Sequence, residues 1–179
     1  MSKTSKQHKE QLAQKKINFA IYICSTSRYN QLKEKGGVII SDEGGEIIQK
    51  LIQTAGHIVL YKKILADDKA LIVEAFEDSL ARWDLDVTIF SGGTGIAPAD
   101  VTIEAVLPLL EKTLPGFGEL FRHISYSEIG SATMLSRAIA GVAGGKVFFC
   151  IPGSPNAVKT AVEKLVLPEV PHIIKHIRE

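Results

Sequence analysis

Val87-Thr88-Ile89-Phe90-Ser91-Gly92-Gly93-Thr94-Gly95 runs from a short apolar segment straight into a glycine-rich loop. The β-branched and aromatic residues at 87–90 read as a buried strand. In an open α/β sheet, ligands bind beyond the carboxyl ends of the strands, and the loop stands at that position. Gly92, Gly93 and Gly95 let backbone N–H groups approach an anion without an intervening Cβ and can adopt positive φ. Ser91 and Thr94 add hydroxyls, and a helix after the loop would direct its positive N-terminus at a phosphate. The other reading of such a loop is a tight turn that holds no ligand.

Upstream, residues 17–24 (Ile-Asn-Phe-Ala-Ile-Tyr-Ile-Cys) form a near-continuous apolar run, the pattern of a parallel strand covered on both faces. Residues 25–37 read as a polar loop. Ile47, Ile48, Leu51 and Ile52 recur at helical spacing over 43–55, and Gly56 is a helix stop. Residues 57–65 are strand-like. Asp67 and Asp68 then precede a helix carrying Leu71, Ile72, Ala75, Phe76 and Leu80. Beyond the glycine loop, 101–114 has a helical pattern that Pro108 breaks in two. Residues 138–142 and 146–151 flank Ala143-Gly144-Gly145, a hairpin signal. A last helix runs from Pro155 through Leu165. Strands alternating with helices predict right-handed βαβ units, hence a three-layer α/β/α sandwich around a mostly parallel sheet. The expected organisation is a polar extension over residues 1–16 and a single domain over 17–179.

Bulk properties exclude several functions. The 179 residues are 45% hydrophobic and 23% charged, with a formal net charge of +1, so no global field points to nucleic acid. No segment reaches the roughly 20 apolar residues of a membrane span. The Lys-rich start has no apolar core, unlike a secretory signal, and the expected location is the cytoplasm. Cys24 and Cys150 lack CxxC spacing and read as small buried hydrophobes. The histidines, including His172 and His176, lack the spacing of a metal site, and no Ser/His/Asp assembly or nucleophile elbow occurs.

The glycine loop lacks the Gly-Lys-Ser/Thr ending of the NTPase P-loop, and Pro98 stands where a dinucleotide fingerprint needs glycine. Asp100 falls at the expected start of the next helix, where capping is its plainer role, with Glu104 in support. Asp67 and Asp68, at the end of the preceding strand, share that sheet edge. A carboxylate pair beside a phosphate suits Mg²⁺, and helix capping is the other reading of that pair. Pro152-Gly153-Ser154-Pro155 repeats the strand–loop–helix situation and is either a second anion loop or a plain turn. Ser136-Arg137 offers a hydroxyl and a cationic fork, and Arg122 offers another fork or a partner for Glu119.

Taken in order, Ser91-Gly92-Gly93-Thr94-Gly95, Asp100-Val101-Thr102, Glu104-Ala105, Pro115-Gly116-Phe117-Gly118-Glu119 with Arg122, Ser136-Arg137, Gly141 and Pro152-Gly153-Ser154-Pro155 resemble the MoaB/Mog family of molybdenum-cofactor biosynthesis proteins. The resemblance covers residues 17–172. It implies a homotrimer or hexamer, contact with other proteins of that pathway, and Mg²⁺-dependent adenylylation of molybdopterin by ATP with release of pyrophosphate. It further implies that Asp67 and Asp100 serve catalysis and hold Mg²⁺. Ser91 to Gly95, Ser136, Arg137, Pro152, Gly153 and Ser154 would then contact the pterin, its phosphate or the nucleotide. The alternatives are a catalytically inactive molybdopterin-binding protein and a nucleotide hydrolase on the same fold. The chain departs from the family pattern at Ser91, usually Thr, at Gly44, commonly Ser, and at Arg28, near a common Asp.

Overall fold

The computed structural model describes residues 16–34, 36 and 41–179; the expected N-terminal extension, but for Lys16, lies outside them. Its strands are β1 (Asn18–Cys24), β2 (Ile58–Leu65), β3 (Val87–Ser91), β4 (Lys112–Thr113), β5 (Ile139–Ala143) and β6 (Lys146–Ile151). They form one six-stranded sheet in the order β2-β1-β3-β6-β5-β4. Neighbouring strands β2, β1, β3 and β6 are parallel, whereas β5 pairs antiparallel with β6 and β4 antiparallel with β5. The glycine pair Gly144-Gly145, at φ +55° and +69°, makes the tight β5–β6 turn that the hairpin signal predicted. The sheet is thus mixed, with the antiparallel hairpin and edge strand appended to a parallel block.

The helices are α1 (Thr26–Glu34), α2 (Glu43–Thr54), α3 (Lys69–Ala81), α4 (Thr102–Val106), α5 (Pro115–Ile129), α6 (Pro155–Ala161) and α7 (Leu167–Arg178). Side chains of β1 alternate between the faces they serve. Phe19, Ile21 and Ile23 pack with Ile48 and Ile52 of α2, Phe117 and Phe121 of α5, and Val158 and Val170 near the C-terminus. Ala20, Tyr22 and Cys24 pack on the other face with Ile72, Ala75 and Phe76 of α3 and Ile103 and Val106 of α4. Both faces of the sheet are therefore covered, which is why 17–24 reads as almost unbroken apolar sequence. In the second layer Phe76 stacks on Phe148 at 4.1 Å and Tyr22 on Phe90 at 5.1 Å. Each such buried ring stabilises the fold by about 2 kcal/mol.

The structure corrects four details. Residues 26–34 are helix α1, not loop; α1 buries no side chain, so it has no apolar periodicity to read. Instead, Leu65 at the end of β2 accepts from the Ser25 amide at 2.9 Å and anchors its start. The helix after the glycine loop begins at Thr102 with Val101 as an unaided cap, so Asp100 caps nothing. It stops at Val106, and a 3-10 turn over Leu107–Leu109 takes Pro108; the chain then enters edge strand β4 rather than a second helical piece. The last helix continues past Leu165 to Arg178 through a π turn at Val162–Val166. The wider turn makes room where the Pro168 ring would press on the preceding turn. Among the described residues no helix is long and apolar enough to cross a membrane.

Candidate functional site

The parallel strands β1, β2, β3 and β6 end at one edge of the sheet, and their loops converge there. The Gly92 amide donates to Ile151 O at the end of β6 (3.0 Å), and Gly92 abuts the end of β1: a Cβ on it would stand 2.3 Å from Cys24 O. With φ at +101°, only glycine fits at this position without strain. Gly93, at φ +59°, is as confined: a Cβ would meet Thr102 Oγ1 at 2.5 Å and Asp67 Oδ1 at 2.7 Å. Thr102, fully buried, ties the loop to α4, its amide donating to Gly93 O and its hydroxyl to Gly92 O, both at 2.9 Å.

The amides of Gly93, Thr94, Gly95 and Ile96 make no backbone hydrogen bond among the described residues. Arg137 fixes where two of them face. Its Nε donates to Thr94 O at 2.9 Å and its Nη2 to Gly95 O at 2.6 Å. In a trans peptide the N–H points opposite to the C=O. Holding those carbonyls therefore turns the Gly95 and Ile96 amides away from Arg137. Successive unpaired amides after positive-φ glycines form a concavity suited to an anion.

Glu104 completes the clamp, accepting from Arg137 Nη1 at 2.5 Å and Nη2 at 3.2 Å. The hydrogen bond from the Arg137 guanidinium outweighs the cost of burial and, with a backbone hydrogen bond and the nearby positive charges, holds the Glu104 carboxyl below the usual glutamate range. Glu104 was expected to support a cap at Asp100 and instead orients Arg137.

The acidic candidates divide. Asp68 is the cap of α3, accepting from the Leu71 amide at 3.0 Å. Asp67 is not a cap. Its Oδ2 accepts from the Thr26 amide (2.8 Å) and Thr26 Oγ1 (2.9 Å), while the Asp67 amide donates back to Thr26 Oγ1 at 2.9 Å. This lock holds Oδ1 toward Gly93. Asp100 stands at Gly95: Oδ2 accepts from the Ala97 amide at 2.9 Å and lies 2.6 Å from the Cβ position of Gly95. The two carboxylates thus both stand against the glycine loop, Asp67 at Gly93 and Asp100 at Gly95.

Ser91 is buried, its hydroxyl 3.5 Å from Pro152 O, and Thr94 is buried as well. The second loop stacks on the first, with the Cβ position of Gly153 3.2 Å from Gly92 Cα. Gly44, at the start of α2, faces that loop so closely that a Cβ would stand 2.8 Å from Gly153 O. Asp42 caps α2 through the Gly45 amide at 3.1 Å. Beyond Pro152 and Ser154 opens a groove of about 330 Å³ that also reaches Phe121, Ser125, Glu128 and Ser136. A larger cleft of about 570 Å³, between β4 and α7, contains none of the predicted site residues. Among the described residues no hydrogen bond brings Arg122 to the loop; its Nη1 lies 3.2 Å from the Cβ position of Gly118 on its own helix.

Cys24 and Cys150 are buried free thiols, and burial pushes Cys24 up to about 12, a state without nucleophilic thiolate. Thr26 and Glu104 were not singled out as site residues from sequence. No local signal marks either, because each acts through a partner distant in the chain.

Comparisons with known proteins place the chain in a family. Residues 20–172 match the family described as "Probable molybdopterin binding domain". "Molybdenum cofactor biosynthesis protein B" of Bacillus anthracis is 46% identical over 168 residues, covering 93% of this chain and 94% of that protein. "Probable molybdopterin adenylyltransferase" of Methanocaldococcus jannaschii is 39% identical over 92% of this chain and 96% of its own length. A crystal structure of a molybdenum cofactor biosynthesis protein B superposes with a TM-score of 0.83 at 44% identity, covering 92% of this chain and 97% of that one. The three-layer α/β/α sandwich, its glycine loop at the carboxyl edge of the sheet and these matches show that the chain belongs to the MoaB/Mog family of molybdenum-cofactor biosynthesis proteins.

Proposed function

We propose that the protein is a molybdopterin adenylyltransferase that joins the AMP moiety of ATP to molybdopterin. The observation carrying this reading is the placement of two carboxylates along the glycine loop, Asp67 beside Gly93 and Asp100 beside Gly95. The unpaired loop amides suit the phosphates of a nucleotide, and the adjoining groove gives room for a second substrate. A phosphate oxygen of molybdopterin attacks the α-phosphorus of ATP. The new P–O bond forms as the bond to the β-phosphate bridging oxygen breaks, and pyrophosphate leaves with that electron pair. Such chemistry asks the protein chiefly for positioning and charge neutralisation.

Mg²⁺ fits the donor set. Asp67 Oδ2 is committed to Thr26, leaving Oδ1 at the loop, and Asp100 keeps Oδ1 outside its bond to Ala97. Among the described residues no three His, Cys, Asp or Glu side chains form a metal-binding group. A cation held by Asp67 and Asp100 would therefore take its other ligands from phosphate oxygens and water, the usual arrangement for Mg²⁺. When bound, it neutralises charge on the leaving pyrophosphate. The name of the Methanocaldococcus jannaschii relative supports the same reading.

The test is incubation of the chain with Mg-ATP and molybdopterin, followed by mass spectrometry. A product heavier than molybdopterin by one adenylyl group is expected. Molybdopterin bound but unchanged after exhaustive incubation would leave a binding protein without catalysis.

A further inference from the structure

We propose that α7 carries a metal site apart from the glycine loop: a two-histidine chelate, His172 with His176, that takes Cu²⁺ or Ni²⁺ in preference to Zn²⁺. It is independent of the reaction proposed above. Spacing alone does not make these residues a metal site, since among the described residues no third ligand accompanies them. The structure adds what spacing could not show. One helical turn apart, the two rings share a face of α7, with centroids 4.6 Å apart and Nε2 to Nε2 at 2.8 Å. The other nitrogen of each ring faces a carboxylate. His172 Nδ1 stands 3.5 Å from Glu169 Oε2, and His176 Nδ1 stands 3.3 Å from Glu179 Oε2.

Those carboxylates set the tautomers. A carboxylate accepts and does not donate, so it favours the ring proton on Nδ1 and leaves Nε2 with a bare lone pair. Two such lone pairs meeting at 2.8 Å need a cation between them, either a shared proton or a metal ion. Two metal–nitrogen bonds of about 2.0 Å at a right angle set their nitrogens about 2.8 Å apart, whereas the tetrahedral angle of Zn²⁺ needs about 3.3 Å. The observed separation is that of the tetragonal case, and imidazole donors bind Cu²⁺ ahead of Ni²⁺. Mg²⁺ prefers oxygen ligands and does not suit the pair. The helix holds the rings in place: Val170 and Ile174 are buried in the core, and Arg178 Nη2 donates to Asp86 Oδ1 at 2.5 Å. His172 and His176 also line the cleft of about 570 Å³ beside β4, where water can complete the coordination.

The test is calorimetric titration of the full chain, free of any affinity tag, with Cu²⁺, Ni²⁺, Zn²⁺ and Mg²⁺, together with electron paramagnetic resonance of the Cu²⁺ form. Tight binding of one Cu²⁺ per chain is expected, with two imidazole nitrogens coupled to the metal and Ni²⁺ held more tightly than Zn²⁺. His172→Ala and His176→Ala should each weaken Cu²⁺ binding by on the order of a hundredfold. The double variant should lose little more, because either change alone ends the chelate. Both side chains are about half exposed (47% and 61%), so all three variants should melt near wild type. Exposed His123 on α5 is the contrast, and His123→Ala should bind Cu²⁺ as wild type does. Cu²⁺ affinity unchanged in both single variants, or lowered no more than by His123→Ala, overturns the proposal. So does a spectrum with a single imidazole nitrogen, or Zn²⁺ bound more tightly than Ni²⁺.

Discussion

Arg137 holds Gly95 by its carbonyl: Nη2 donates to Gly95 O at 2.6 Å, 42 residues away in sequence. Nε takes Thr94 O, and Glu104 accepts from the remaining face of the guanidinium. A residue expected to reach a ligand shapes the loop that would receive one. Arg137→Lys keeps a charge but loses the planar fork. It should lower kcat/KM for ATP by at least about tenfold while melting within a few degrees of wild type. Activity equal to wild type would mean the loop needs no clamp.

The Arg137–Glu104 pair should also respond to pH in a defined direction. Because Arg137 depresses the Glu104 carboxyl, the contribution of the pair to stability is present above the ordinary glutamate range. It is lost as pH falls through the lowered value. Wild type and Glu104→Gln should therefore differ in melting temperature at neutral pH and converge at strongly acid pH. Half of the Glu104 side chain is exposed (47%), so the difference should be small.

Asp67→Asn and Asp100→Asn should each abolish turnover without unfolding the protein. Asn at position 67 can still accept from Thr26, and Asn at position 100 can still accept from the Ala97 amide. Only the negative charge at the loop is removed. Circular dichroism melts should stay near wild type while product falls below detection; retained turnover in both variants would remove these residues from the chemistry.

Gly93→Ala tests the backbone. The new Cβ would press on Thr102 Oγ1 and Asp67 Oδ1 at a φ of +59°. A loss of about 1–3 kcal/mol in chemical denaturation is expected, together with weakened nucleotide binding. Gly116, whose Cβ position is open, serves as the contrasting site: Gly116→Ala should fall within about 0.5 kcal/mol of wild type.

Cys24, with burial raising its thiol to about 12, should resist alkylation in the folded protein at mildly alkaline pH, as should fully buried Cys150. Both should label once denaturant unfolds the chain. Rapid labelling of the native protein would show that the layer beneath the glycine loop opens readily.

The sheet's parallel core and the glycine loop were legible because their physics is local. A strand buried on both faces needs unbroken apolar residues, as at 17–24, and a loop packed against Cys24 O needs Gly92. Helix α1 was not legible, since it buries nothing and offers no periodic face. Spacing alone did not separate Asp67 from Asp68, because either could cap α3; the resemblance singled out Asp67, and the position of Thr26, 41 residues away, is what separates them in the structure. The same holds for Glu104 and Arg137, 33 residues apart. The last helical pattern was legible only as far as Leu165, whereas a π turn carries the helix on through Pro168 and Pro171 to Arg178.

Adenylyl transfer to molybdopterin is decided by pyrophosphate release from Mg-ATP, followed with and without molybdopterin and set against adenylylated pterin in the same sample. One pyrophosphate is expected for each adenylylated molybdopterin, and none without the acceptor. Release of AMP or phosphate from ATP in the absence of any pterin would contradict the transferase reading and identify a nucleotide hydrolase on this fold.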